Sequence, residues 1–214
     1  MKSVKNKAIN SLRFIWPPVL LLIYAFCQLF ILSKNIWANL VAAIITLAVL
    51  GFALKYQKTK PKKFSHPIPQ KLLLVIYAIF GIVICLMIYG YIYYLVSNGE
   101  IPNSKNQEIL QDLAKMSKLR IFIETVLMGP IFEETIFRLG LISFKNKQWT
   151  IGTSIFSIIC FAAMHMIGTF NLWVIIPYLI ISVFLTLLYV YTKDMKCNIL
   201  LHILYNLIAS VNLL

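Results

Sequence analysis

Apolar stretches of about 20 residues recur along this chain, and they restrict its fold more than any other feature. Runs long enough to cross a bilayer fall at 13–32, 36–54, 71–97, 119–144, 149–168, 172–192 and 197–213. Each fits the roughly 17–25 residues that a spanning α-helix needs. Hydrocarbon offers no partner to an unpaired backbone N–H or C=O, so segments of this length must satisfy themselves as helices. The expected fold is therefore all-α, a polytopic transmembrane bundle of about seven spans, or eight if an interfacial helix is counted. Composition agrees: of 214 residues 60% are hydrophobic and only 13% charged, more apolar surface than a soluble domain can bury.

The formal charge of +13 is gathered in the polar breaks between runs. That is how topology signals look, and it makes nucleic acid a poor partner; the expected partner is a lipid bilayer. Lys and Arg flanking spans favour the cytoplasmic side. With the N-terminus inside, 14 basic residues lie inside and 5 outside, leaving Arg138 within the membrane. The expected location is the cell membrane, multi-pass, with N-terminus cytoplasmic and C-terminus outside. The basic start, Met1 to Arg13, reads as the flank of an uncleaved first span. Trp16, Trp37, Trp149 and Trp173 sit near span ends, as interfacial anchors do. The segment between Lys55 and Lys71, with Pro61, Pro67 and Pro69, reads as an extended loop in which His66 is solvated and lysines face anionic headgroups. From Gly99 to Lys118 the apolar residues Ile109, Leu110, Leu113 and Met116 share one helical face; this is either an amphipathic surface helix or a solvated loop. Cys27, Cys85, Cys160 and Cys197 show no paired spacing and read as small buried side chains.

Ionisable groups inside apolar runs are costly, on the order of 3 kcal/mol each at a bilayer centre, and mark sites or pathways. Glu133, Glu134 and Arg138 lie in one run, His165 in the next, and His202 with Asn206 in the last. Glu134 and Arg138 are four apart and can pair on one helix face. Glu133 is turned about 100° from Glu134 and is left to face a cavity, where a low dielectric suits a carboxylate to general-base work. His202 and Asn206, also four apart, point the same way and can donate to a developing negative oxygen. Phe161 shares a face with His165 and can wall the site from lipid. Pro130, just before the glutamates, can kink its helix and release carbonyls. Glu124, near the outer end of its run, reads as interfacial.

The ordered segments Glu133-Glu134-x-x-x-Arg138, Phe161-x-x-x-His165 and His202-x-x-x-Asn206 resemble the CAAX-protease and bacteriocin-processing family of intramembrane proteases. The resemblance spans Glu124 to about Asn212, and it divides the chain into N-terminal helices and loops, 1–118, and a catalytic core, 119–214. It implies that Glu133 and His165 activate water, that His202 and Asn206 form an oxyanion site, and that Glu134 and Arg138 complete the first motif. The implied activity is endopeptidase cleavage of a membrane-associated or peptide precursor, with a cavity opening towards the cytoplasm and a role in bacteriocin processing or self-immunity. Glu133, His165 and His202 could instead ligate Zn2+; a metal-free glutamate–histidine mechanism uses the same residues. A second reading, from a different class, is a non-catalytic immunity or partner-binding membrane protein whose polar cluster is structural.

Overall fold

A computed structural model describes residues 15–33, 35–58, 66–98, 108, 111–112, 115, 117–167 and 171–211. Most of the segment read as an amphipathic helix, including Ile109, Leu110, Leu113 and Met116, lies outside the described residues, as do the basic start and Pro61. Among the described residues every regular element is helical. These are α1 (Trp16–Leu32), α2 (Ile36–Lys58) and α3 (Ile68–Val96), followed by one uninterrupted rod. The rod consists of α4 (Lys118–Ile121), a π-helical segment π1 (Phe122–Met128), α5 (Gly129–Glu133) and a second, π2 (Glu134–Leu141). Three helices follow: α6 (Lys147–Met164), α7 (Leu172–Thr192) and α8 (Met195–Ala209).

Local chemistry sets these boundaries. Prolines occupy the first turns of α1 and α3, where a missing N–H costs nothing. Asn146, Asn171 and Asp194 cap α6, α7 and α8, their side chains accepting from the N–H groups of Trp149, Trp173 and Lys196; such caps contribute about 1 kcal/mol each. Lys193 closes α7 in the left-handed region, φ 51°, so that α8 begins two residues later. Helix α6 stops at Met164, four residues before the apolar run ends at 168. His165 is thus the residue that caps a helix rather than one inside it.

Ile36–Gln57, Ile68–Val96 and Leu172–Thr192 are long and apolar enough to cross a membrane, and Trp16–Phe30 and Met195–Ala209 are shorter apolar helices. Large side chains such as Leu22, Ile44, Tyr77, Met87 and Leu187 remain exposed, as a lipid-facing surface requires. The chain is a multi-pass membrane protein.

The elements alternate in direction, which separates two ends of the bundle. At one end Gln57, closing α2, donates to Lys193 O at 3.1 Å and accepts from Met195 N at 3.0 Å. Lys71, opening α3, pairs with Asp194 at 2.6 Å. Lys193 lies over Phe144, just beyond π2, and Trp16, opening α1, packs edge-on against Phe52 and Tyr56 of α2. Lys55, Lys145, Lys147 and Lys196 belong to the same end. His66 is not simply solvated there: it is half-buried and stacks on Tyr191 at 4.6 Å. At the other end Tyr89 of α3 donates to Trp173 O, in the first turn of α7, at 2.6 Å.

In lipid, helix association rests on close packing and interhelical hydrogen bonds rather than on escape from water. Gly81 of α3 receives the ring of Phe184 from α7, which any Cβ there would overlap, and Gly140 of π2 receives Pro17 and Trp16. Ser157 of α6 donates to Phe137 O of π2 at 2.7 Å, and Asn198 of α8 to Leu185 O of α7 at 2.9 Å. Polar ties of this kind contribute about 0.6–2 kcal/mol each in a membrane.

Candidate active site

The rod from Lys118 to Leu141 carries the acidic pair at the junction of α5 and π2, between two stretches of i→i+5 hydrogen bonding. Segments of that kind are rare and concentrate at functional sites. Glu134 and Arg138 are both 0% exposed, which makes their partners decisive. Glu134 Oε1 accepts from His202 Nδ1 at 2.9 Å, and Glu134 Oε2 from Asn198 Nδ2 at 2.6 Å. Arg138 Nη1 lies 3.4 Å from Glu134 Oε1, near enough for an ion pair but not aligned as a hydrogen bond. The other end of the guanidinium donates to Ser182 Oγ at 2.9 Å and Ser182 O at 3.3 Å, and it lies over the Phe161 ring. The pairing of Glu134 with Arg138 expected from their spacing is present; its connections to α7 and α8 could not be read from spacing.

Glu133 faces the opposite way. Its Oε1 accepts from Tyr24 Oη of α1 at 3.4 Å, while its Oε2, buried, has no hydrogen-bond partner among the described residues. Two imidazoles confront that oxygen: Nε2 of His202 at 3.7 Å and Nε2 of His165 at 3.9 Å. Each ring is fixed from behind. His165 Nδ1 lies 2.9 Å from Phe161 O and His202 Nδ1 lies on the Glu134 carboxylate; both partners only accept, so both rings carry the proton on Nδ1. The His165 ring is also stacked on Tyr178 at 4.5 Å.

Asn206 stands one turn beyond His202, and its Nδ2 donates to Thr125 O at 2.7 Å. That carbonyl is available for a covalent reason. Within π1 its i+5 partner is residue 130, and Pro130 has no N–H. The amide of Asn206 is therefore half committed to the rod rather than wholly free, as its position suggested.

These groups border one cavity of about 220 Å³, lined by residues that include Glu133, His165, His202, Asn206 and Tyr178. The sequence motifs are thus brought together from π2, α6 and α8, with Glu134 and Arg138 behind the lining. Two lining residues correct or extend the sequence reading. Glu124 is not interfacial but 7% exposed, and it borders the cavity with its Oε1 accepting from Gln28 Nε2 at 3.3 Å. Tyr24 and Gln28 come from α1, which carries no motif of its own. The cavity's direction is also corrected. It is bordered by Gln28 near the end of α1, Thr125 near the start of the rod, and Ala209 and Ser210 closing α8, all at the end away from Lys55, Lys71, Lys145 and Lys193.

Together, fold and cavity define a helical membrane protein with a carboxylate–imidazole cluster held inside the bundle. Residues 115–208 match the family model of type II CAAX prenyl endopeptidase Rce1-like proteins, so the resemblance drawn from the three motifs is borne out over that region. The chain is also 29% identical over 115 residues to the UPF0177 protein YvdC of Lactococcus lactis subsp. lactis strain IL1403. That match takes in 53% of this chain and 42% of the relative, so the chain spans less than half the length of the relative it matches. No solved structure matches the chain.

Proposed function

We propose that this protein is an intramembrane endopeptidase that hydrolyses a peptide bond of a membrane-associated or peptide substrate, with Glu133 as the base. The single observation behind this reading is the unpartnered, buried Oε2 of Glu133 with two imidazole nitrogens aimed at it. A water in that gap would be held by Glu133 Oε2 and His165 Nε2. Glu133 takes one of its protons as the water oxygen bonds to the scissile carbonyl carbon. The electron pair moved onto the carbonyl oxygen is met by His202, protonated on Nε2 with Glu134 balancing its charge through Nδ1, and by the second N–H of Asn206. Collapse breaks the C–N bond, and Glu133 returns its proton to the leaving nitrogen. One water is consumed, and an acid and an amine are released.

Glu133, His165 and His202 are donors of the kind a catalytic zinc takes, and each imidazole has a rear partner such as metal-bound histidines use. No three such side chains converge into a metal-holding group among the described residues; their donor atoms stand wider apart than the roughly 3.3 Å that tetrahedral bonds of ~2.0 Å imply. A metal seated there would act as a Lewis acid on the carbonyl and lower the proton affinity of the water, but no step above depends on it. Cleavage that survives full chelation and is not raised by added Zn2+ supports the metal-free route; complete, zinc-reversible loss rejects it.

The same reading extends to orientation and architecture. With the lysine-rich end of the bundle cytoplasmic, seven traverses place the cavity mouth towards the outer face, so a secreted or incoming peptide is a better substrate than a cytoplasmic one. A role in bacteriocin processing or self-immunity accords with that side. The division at 118/119 separates the reacting groups from a first part that lends the site its Tyr24 wall. Comparing membrane-associated peptides from cells holding wild-type protein with those holding Glu133→Gln tests the proposal. Uncut precursor should accumulate in the variant; identical peptide profiles would remove the protease reading in favour of a non-catalytic immunity or partner-binding role.

A further inference from the structure

Glu124 takes no part in the chemistry above, yet it has the same unusual situation as Glu133. It is 7% exposed, it borders the cavity, and its Oε2 has no hydrogen-bond partner among the described residues. Only Gln28 engages it, through the other oxygen at 3.3 Å. An acidic group so buried and unpaired is costly unless something complementary arrives. The protein's own cations do not supply it. Arg138 is spent on Glu134 and Ser182, Lys71, Lys145 and Lys193 lie at the opposite end of the bundle, and no ion pair joins Glu124 to Arg120 one turn earlier on the rod.

The spacing of the two carboxylates is set by α1. Tyr24 holds Glu133 and Gln28 holds Glu124, and residues four apart on a helix stand about 6 Å apart along its axis. Gly129 lies between the two rungs, where a Cβ would come within 3.2 Å of both Glu124 O and Tyr24 Oη; the absence of a side chain keeps the passage open. An extended peptide advances about 3.3 Å per residue, so 6 Å is roughly two residues.

We propose that Glu124 is a cation subsite, selecting a substrate with an ammonium or guanidinium group within about two residues of the bond that Glu133 attacks. The inference rests on the protease reading for the word substrate, but the subsite itself is a binding property. A lysine side chain and a free amino terminus offer the same chemistry, and the test separates them.

The full chain in lipid nanodiscs is titrated with three fluorescein-labelled octapeptides, read by polarisation. One is blocked at both ends with a single lysine; its twin carries norleucine there; the third has norleucine and a free amino terminus. Wild type should bind the lysine peptide about tenfold more tightly than its norleucine twin, the usual scale for a hydrogen bond to a charged group. Glu124→Gln, which keeps the size of the side chain and the contact with Gln28, should abolish the difference while its thermal unfolding is unchanged. Glu133→Gln should retain it. A gain for the free-amine peptide that vanishes in Glu124→Gln assigns the subsite to an amino terminus. Equal binding of both blocked peptides by wild type, or a lysine preference that Glu124→Gln keeps, overturns the inference. Preference without any cut product leaves the subsite in place and removes the protease reading; cleavage without preference does the reverse.

Discussion

His202 Nδ1 and Glu134 Oε1 stand 2.9 Å apart although 68 positions separate them in the chain. The contact joins α8 to the start of π2 and fixes which nitrogen of His202 is turned to the cavity. Adjacent glutamates thereby serve different ends: Glu134 secures an imidazole and an arginine, and Glu133 is left for a substrate.

Glu133→Gln keeps the volume of the side chain and can still accept from Tyr24 Oη. The expected outcome is a protein whose unfolding temperature matches wild type, a change under about 1 kcal/mol, and whose cleavage rate falls by about 10²–10⁴-fold. Thermal unfolding and peptide release measured on the same preparation check it. Retained cleavage would exclude Glu133 as the base.

Arg138→Met removes one partner from a fully buried pair and leaves Glu134 as a carboxylate in hydrocarbon, a loss of about 3–5 kcal/mol. Adding Glu134→Gln removes the stranded charge as well. The double variant should unfold at a higher temperature than Arg138→Met alone, although it carries more changes. Simple additivity of the two single effects in detergent would show that the pair is not coupled.

Asn206→Ala deprives Thr125 O of its donor and should cost about 1 kcal/mol. In a Pro130→Ala background the backbone N–H at 130 can serve that carbonyl instead, so the same substitution should cost less. A double-mutant cycle by thermal unfolding measures the difference. Equal costs in the two backgrounds would mean that the proline does not release the carbonyl.

Asp194 lies between α7 and α8, outside the membrane-spanning segments. Burial alone would raise its carboxyl, but the hydrogen bond from Lys71, the N–H of Lys196 and the Lys71 charge together hold it below the usual carboxylate range. With the folded value below the unfolded one, Asp194 adds stability that is complete above about pH 4 and lost as the pH falls through the folded value. Asp194→Asn preserves the helix cap, so it isolates the ion pair. Its effect at pH 7 should be about 1 kcal/mol or less, since the pair is partly solvated, and should disappear near pH 3. Parallel stability curves for the two proteins from pH 7 to pH 3 would contradict this.

The parts of the site legible in the sequence were those written as spacing. Glu134 to Arg138, Phe161 to His165 and His202 to Asn206 each lie one helical turn apart, and each pair does share a face. Contacts made across the bundle had no such signature. Tyr24, Gln28, Ser182 and Asn198 are single polar residues in apolar runs, and only the packing of α1, α7 and α8 against the rod gives them partners. Glu124 was misjudged because distance from the end of a run is a poor measure of depth in a rod that starts near the bundle's end and is covered by α1. Span limits failed where capping chemistry outweighed hydropathy, as at His165, where the helix ends inside an apolar run. The side on which the cavity opens required knowing which helix ends it borders, information that no single segment holds.

The wide turns of Glu134–Leu141 make this part of the gene sensitive to length as well as to identity. Deleting one residue there would let ordinary winding return and would swing everything beyond the deletion through about 100°. Gly140 would turn from Pro17, and Phe137 O from Ser157. A frame-preserving loss of one codon, with every motif letter still present, should therefore be more damaging than many substitutions among the same eight positions.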